Sequence, residues 1–173
     1  MDLKPKQKII VVTGVESTGK SSLAKSLADH LELAFIPEYA RQYLENRNGV
    51  YEYSDLEDIA KLQLSAIENA TSKYVVVDTA LLVLKIWSEE KFNRCSSFIL
   101  NKLAMFNPTA YLLCDMDVPW ENDPLREHPN ESDRIRLYKI YLAHLQEQSV
   151  PFKIIGGTKK ERLEKAALYL KNF

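Results

Sequence analysis

A glycine-rich segment near the N-terminus, Gly14 to Ser21, has the residue types and spacing of a phosphate-binding loop. It reads Gly-Val-Glu-Ser-Thr-Gly-Lys-Ser and fits G-x-x-x-x-G-K-[ST] at every fixed position. In such a loop, backbone N–H groups curl around phosphate oxygens, and the N-terminus of the following helix adds partial positive charge. We expect Lys20 to reach the β- and γ-phosphates of ATP and the Ser21 hydroxyl to ligate Mg²⁺.

An acid at the end of a second apolar run is the expected partner of this loop. Asp78 follows Val75-Val76-Val77 and would hold Mg²⁺ directly or through water, although it would also serve as an ordinary helix cap. A switch GTPase is disfavoured, because Asn101-Lys102-Leu103-Ala104 has alanine where the guanine-binding carboxylate belongs. We therefore predict a phosphotransferase.

The acceptor of the phosphoryl group is expected at Pro37-Glu38-Tyr39-Ala40-Arg41. Ligands bind at the carboxyl ends of parallel strands, so Glu38 and Asp78 should flank the same crevice. Glu38 is a candidate to accept the hydroxyl proton, and Arg41 to anchor the acceptor, unless the two form only a surface ion pair. The choice of base between Glu38 and Asp78 stays open at this point.

Three aromatic residues are candidates to stack on a flat base, and a cationic ring would gain further attraction from them. Each is also compatible with plain core packing. They are Tyr39, Trp87 and Trp120.

A long stretch without periodicity, about 115–133, is expected to be a lid that excludes water from the reaction. Arg126, with Arg134 or Arg136 from the next helix, would approach the γ-phosphate; the alternative is a solvated acidic loop. Gly157, after the last apolar run, would pass its backbone along adenine or form a simple turn.

Short β-branched runs alternate with helical patterns, which indicates one α/β domain over residues 1–173: a P-loop kinase fold with a parallel five-stranded sheet and helices on both faces. Capping boxes at Ser54–Glu57 and Thr158–Glu161 predict two helix starts. The predicted strands are 8–13, 33–36, 74–77, 110–114 and 152–155. The predicted helices are 20–30, 54–71, 81–89, 96–105, 135–148 and 158–170.

Composition excludes several classes of function. A net charge of −1 gives no field that would gather nucleic acid or an anionic membrane. The apolar run after the Lys-rich N-terminus is too short for a signal sequence, and the two scattered cysteines suit a reducing compartment. We expect a cytoplasmic protein whose oligomeric state the sequence does not indicate.

Together these segments resemble the ribosylnicotinamide kinase domain of the NadR-type bacterial proteins of NAD salvage. The resemblance runs in family order over nearly the whole chain, and its Glu-Tyr-Ala-Arg and Pro-Trp-Glu blocks are the specific ones. The matching segments are 14–21, 38–44, 78–79 with Leu82 and 85–87, 117–121, 123–126, and 155–157 with Arg162.

The resemblance implies transfer of the ATP γ-phosphoryl group to the 5′-hydroxyl of nicotinamide riboside, with Mg²⁺ as cofactor. The implied catalytic residues are Lys20, Glu38, Asp78 and Arg126. The implied ATP-binding residues are Gly14, Glu16, Ser17, Thr18, Gly19, Lys20, Ser21, Ser22, Gly157 and Arg162. The implied substrate-binding residues are Glu38, Tyr39, Arg41, Asp78, Trp87, Trp120 and Asp123.

Two departures from the family pattern affect these expectations. Ala80 stands where the family usually has a second acid, which favours an alternative reading as an ATP- and pyridine-nucleotide-sensing module, or another nucleoside as acceptor. A chain of 173 residues also has no room for the DNA-binding and adenylyltransferase domains of the multifunctional members. We therefore expect neither of those activities from it.

Overall fold

The centre of the molecule is a five-stranded parallel sheet with strand order β2-β3-β1-β4-β5. The computed structural model describes residues 7–173, so residues 1–6 of the predicted domain lie outside the described residues. The strands are β1 (Lys8–Thr13), β2 (Ala34–Ile36), β3 (Tyr74–Asp78), β4 (Ala110–Cys114) and β5 (Phe152–Ile155). This arrangement confirms the predicted P-loop kinase fold.

Helices cover both faces of the sheet, as expected when every strand connection is a parallel crossover. They are α1 (Lys20–Leu31), α2 (Tyr39–Glu45), α3 (Tyr53–Asn69), α4 (Leu81–Phe92), α5 (Ser97–Met105), α6 (Glu131–Glu147) and α7 (Lys159–Leu170). Side chains of β1 alternate between the two faces: Val11 packs in the cluster with α6, while Ile10 and Val12 pack in the cluster with α1 and α7. Within residues 7–173 no helix is long and apolar enough to cross a membrane.

The start of α3 differs from the sequence prediction. The helix begins at Tyr53, one residue before the predicted Ser54, and the Ser54–Glu57 capping box is wrong. The N-cap is Glu52, which forms a capping box with Asp55: Asp55 Oδ2 accepts the Glu52 N–H at 2.7 Å, and the Glu52 side chain accepts the Asp55 N–H. Because Asp55 is buried, it is better placed than exposed Ser54 to satisfy the helix end.

Two other elements also differ from the prediction. Helix α6 begins at Glu131 rather than at residue 135, which leaves 115–130 as the segment without helix or strand; we call this segment the lid. The short helix α2 was not predicted. By contrast, the Thr158–Glu161 capping box at the start of α7 is confirmed.

Asp55 also joins α2 to α3, and this role is testable. It accepts hydrogen bonds from Tyr43 at 2.8 Å and Arg47 at 3.1 Å. Asp55→Asn should lower the free energy of unfolding by about 2 kcal/mol near pH 7, because the donors lose a charged acceptor. The backbone N–H of Glu52 holds the pKa of Asp55 below its ordinary value.

The stabilisation by charged Asp55 is therefore complete above its unfolded pKa and is lost as pH falls through its folded pKa. In urea unfolding, the difference in free energy of unfolding between wild type and Asp55→Asn should become smaller below about pH 4. Ser54→Ala is the matched control and should change stability by less than about 0.5 kcal/mol. A larger loss in Ser54→Ala than in Asp55→Asn would contradict the assigned cap.

Candidate active site

The carboxyl ends of β1, β2 and β3 bring together four charged residues. Ile36 of β2 pairs with Val77 of β3, and Asp78 pairs with Val12 of β1, so the three strand ends are level. Glu38 and Asp78 both interact electrostatically with the positive charges of Lys20 and Arg41. The structure therefore brings together the residues predicted at this crevice.

A cavity of about 350 Å³ opens at this edge of the sheet. One end is lined by residues 14–22 of the phosphate loop, and the other by Glu38, Arg41, Trp87 and Glu90. The apolar part of the cavity wall is formed by Val83, Ile86, Leu137 and Tyr141. The lid also lines the cavity, through Glu121, Arg126 and His128. The volume is that of a site for a small molecule.

The phosphate loop is held by its own side chains and backbone. Thr18 Oγ1 donates to the Val15 carbonyl at 2.6 Å, and Lys20 Nζ donates to the same oxygen at 2.8 Å. Ser17 and Gly19 adopt left-handed backbone conformations, with φ of 58° and 78°. These turns curl the loop before α1 begins at Lys20.

The surroundings of Asp78 fit a bound magnesium ion. Asp78 is 2% exposed, and its Oδ1 meets no hydrogen-bond partner among residues 7–173. A buried unpaired carboxylate oxygen is costly unless a cation or water satisfies it. Burial raises the pKa of Asp78, while nearby Ser21 and Lys20 lower it.

Ser21 lines the cavity and lies within hydrogen-bond reach of Asp78, so its hydroxyl supplies a second oxygen. No cluster of three or more His, Cys, Asp or Glu side chains exists in the described range that would hold a metal by itself. Mg²⁺ is commonly bound by one or two protein oxygens completed by phosphates and water, so this pair fits it.

Glu38 lies half-buried at the other end of the cavity, at the start of α2. Burial raises its pKa above the ordinary value, and the negative charge of Asp78 adds to the rise. The positive charge of Lys20 opposes it. A carboxylate with a raised pKa, close to the phosphate loop, is suited to accept a proton.

Two predicted residues of the lid bond to different parts of the molecule. Arg126 Nη1 donates to Ser17 Oγ at 3.1 Å, so its guanidinium lies over the phosphate loop. Asp123 Oδ2 accepts from Arg41 Nη2 at 2.7 Å, which ties the lid to α2. Arg136, another candidate for the γ-phosphate, instead pairs with Glu90.

The three aromatic candidates separate in the structure. Trp87 lines the cavity. The guanidiniums of Arg126 and Arg134 lie 5.6 Å and 5.2 Å from the centroid of the Trp120 ring. Trp120 is not among the cavity-lining residues. Tyr39 packs against the core cluster under α6, and its N–H donates to Gln63.

Arg162 connects the phosphate loop to the two loops that follow strands β4 and β5. It is 4% exposed and donates to the carbonyls of Thr18 at 2.7 Å, Gly157 at 2.9 Å and Asp115 at 3.1 Å. Its guanidinium also pairs with the carboxylate of Asp117, which accepts the Gly157 N–H as well. Both predicted ATP-binding residues of this region are thus bonded to their own chain, beside the loop.

Residues 9–162 match the protein family described as AAA domain. The chain belongs to this family. This AAA domain is similar to the trifunctional NAD biosynthesis/regulator proteins NadR of Escherichia coli (strain K12) and Salmonella typhimurium (strain LT2), each 25% identical over 150 residues. The match covers 83% of the chain but 37% of each relative, so the chain spans about a third of their length.

Solved structures show the same fold. A NadR protein in complex with NR has a TM-score of 0.73 at 20% identity, covering 95% of this AAA domain and 51% of that chain. Thymidylate kinase from Ehrlichia chaffeensis has a TM-score of 0.69 at 13% identity, covering 97% and 98% of the two chains. The resemblance to NadR-type proteins inferred from the sequence is confirmed.

Several residues in and around the cavity of the AAA domain were not predicted from the sequence. They reach it through contacts between distant segments, and their sequence context carries no motif. Glu90 and His128 line the cavity, and Tyr51 contacts Trp87 and the lid. For His128, its place inside the predicted lid was the one available signal.

Arg162 should stabilise the phosphate loop rather than only contact ATP. Arg162→Met should lower the free energy of unfolding by about 3 kcal/mol, because it leaves buried carbonyls without a donor. Denaturant unfolding measures this directly. Lys160→Met, in the same helix, is the control: Lys160 pairs with Glu164 at the exposed surface, 3.9 Å apart, and should cost less than about 0.5 kcal/mol. Equal losses in both variants would contradict the bridging role.

Proposed function

We propose that this chain transfers the γ-phosphoryl group of ATP to the 5′-hydroxyl of nicotinamide riboside, giving nicotinamide mononucleotide. The observation that carries the proposal is one cavity with a complete phosphate loop at one end and half-buried Glu38 with Trp87 at the other. The fold shared with P-loop kinases supports phosphoryl transfer. The sequence similarity to NadR proteins supports the choice of acceptor.

At the phosphate end, the chain's own residues neutralise and orient the triphosphate. Lys20 and the backbone of 14–19 hold the β- and γ-phosphates, and Arg126 approaches from the lid. Ser21 and Asp78 would hold Mg²⁺, which when bound neutralises charge on the β- and γ-phosphate oxygens. Catalysis of this kind depends mostly on positioning and electrostatics.

At the acceptor end, Glu38 is the group best placed to receive the proton of the 5′-hydroxyl. It lines the cavity together with the phosphate loop, whereas Asp78 is not among the lining residues and is assigned to Mg²⁺. We therefore assign the base to Glu38 and leave Arg41 to position the acceptor through its bond to Asp123.

The charges around the acceptor end favour a nucleoside over a nucleoside monophosphate. The basic side chains there are already paired: Arg41 with Asp123, Lys91 with Glu127, and Arg136 with Glu90. A monophosphate would need an unpaired basic group for its own phosphate. A cationic pyridinium ring against Trp87, close to Glu90, suits these surroundings.

A direct assay tests the proposal. Purified protein with Mg²⁺ and ATP is supplied with nicotinamide riboside, uridine or adenosine, and products are identified by mass, because a phosphate loop can also hydrolyse ATP without an acceptor. We expect nicotinamide mononucleotide in preference to the other products, and none from Lys20→Ala. No phosphorylated product from any nucleoside would overturn the proposal and favour the sensing module suggested by Ala80.

Glu38 provides a second prediction. Glu38→Gln should lower kcat by about 10² or more, because the hydroxyl proton loses its acceptor. Since burial raises the pKa of Glu38 and the base acts when deprotonated, wild-type turnover should fall on the acid side at a pH above the ordinary carboxylate range. Near-normal turnover in Glu38→Gln would assign the base to Asp78 or to the substrate itself.

A further inference from the structure

The lid is attached to the phosphate loop through two side chains of that loop. Glu16 accepts the backbone N–H of Glu127 at 3.1 Å and also that of His128. Ser17 Oγ accepts the backbone N–H of Glu121 at 2.9 Å. Residues at variable positions of the phosphate-loop pattern therefore hold the lid against the phosphate loop.

A different group attaches the same part of the lid to the acceptor end of the cavity. The Tyr51 hydroxyl donates to the carboxylate of Glu127, with both oxygens at 2.8 Å, and accepts from Trp87 Nε1 at 2.8 Å. The Tyr51 and Trp87 rings meet edge to face, with centroids 4.9 Å apart. Lys91 pairs with the same carboxylate and lies 5.1 Å from the Tyr51 ring.

Glu127 thus belongs to both attachments: its backbone bonds to the phosphate loop, and its side chain bonds to Tyr51. Burial, then the hydrogen bond to Glu127, raises the pKa of Tyr51 to about 12, so its hydroxyl keeps its proton at neutral pH. Hydrogen bonds in series strengthen each other, and the bond to a carboxylate is the strong one. The series Trp87, Tyr51, Glu127, Glu16 runs from the acceptor wall to the phosphate loop.

We propose that Tyr51 is a positioning residue that couples acceptor binding against Trp87 to closure of the lid over the phosphates. This inference rests on the proposed function for the identity of the acceptor. A ring stacked on Trp87 fixes the indole in the orientation that donates to Tyr51. Tyr51 then holds Glu127, and the lid backbone stays within reach of Glu16. The lid closes most firmly when an acceptor is present, which limits futile hydrolysis of ATP.

The test uses the full chain and follows the lid without relying on catalysis. Arg126 is the trypsin site inside the lid, and closure should protect the Arg126–Glu127 peptide bond. The cleavage rate is measured by mass spectrometry with a non-hydrolysable ATP analogue, with and without nicotinamide riboside. In the wild type, nicotinamide riboside should slow cleavage about 10-fold, within the usual range of coupling between two sites.

Tyr51→Phe removes the hydroxyl and keeps the ring against Trp87. We expect protection by nicotinamide riboside to fall below about 2-fold, and its stimulation of ATP turnover over the acceptor-free rate to fall in parallel. Glu127→Ala should have the same effect, and the double variant should be no worse than either single variant, since all three break the same series.

Tyr53→Phe is the matched control. Its ring packs on Phe92 and Arg94 rather than on the lid, so the coupling should be unchanged. Failure of acceptor to protect the wild type, or full protection in Tyr51→Phe, overturns the inference. If nicotinamide riboside protects the lid but is not phosphorylated, the proposed function fails while the coupling stands.

Discussion

The conformation of the phosphate loop is the constraint on which the rest of the site depends, and it is imposed from behind. Gly14, with φ of 134°, lies so close to strand β4 that a Cβ would meet the Cys114 carbonyl at 3.1 Å. Such a backbone suits glycine alone. On the other side, Arg162 holds the Thr18 carbonyl from helix α7. Contacts within the chain therefore fix the conformation of the loop.

The two ends of the cavity differ in charge, and this difference explains the proposed chemistry. At the phosphate end, Lys20 and Arg126 provide positive charge beside the N-terminus of α1. At the acceptor end, carboxylates neutralise the nearby arginines and lysines, and Glu38 remains to take up a proton. Ala80 is buried among apolar side chains and is not among the residues that line the cavity. Glu38 is the base in the proposed function.

The sequence predicted the strands well because they are short, mostly apolar runs, and the three central strands β1, β3 and β4 are largely buried. Strands β4 and β5 have the predicted bounds, and the phosphate loop lies where its pattern required. Helix starts were less predictable: α3 begins with a capping box between Glu52 and Asp55, and Glu is not among the usual N-cap residues. The series through Tyr51 and Glu127 joins residues 76 positions apart, and only the fold brings them together.

The most direct test of this account is a crystal structure with a non-hydrolysable ATP analogue, Mg²⁺ and nicotinamide riboside bound together. We expect the 5′-oxygen to lie in line with the γ-phosphorus at about 3–3.5 Å. We also expect a Glu38 oxygen within hydrogen-bond distance of the same 5′-oxygen, with the pyridinium ring on Trp87. A nicotinamide riboside bound outside this cavity, or a 5′-oxygen turned away from both Glu38 and the γ-phosphate, would contradict it.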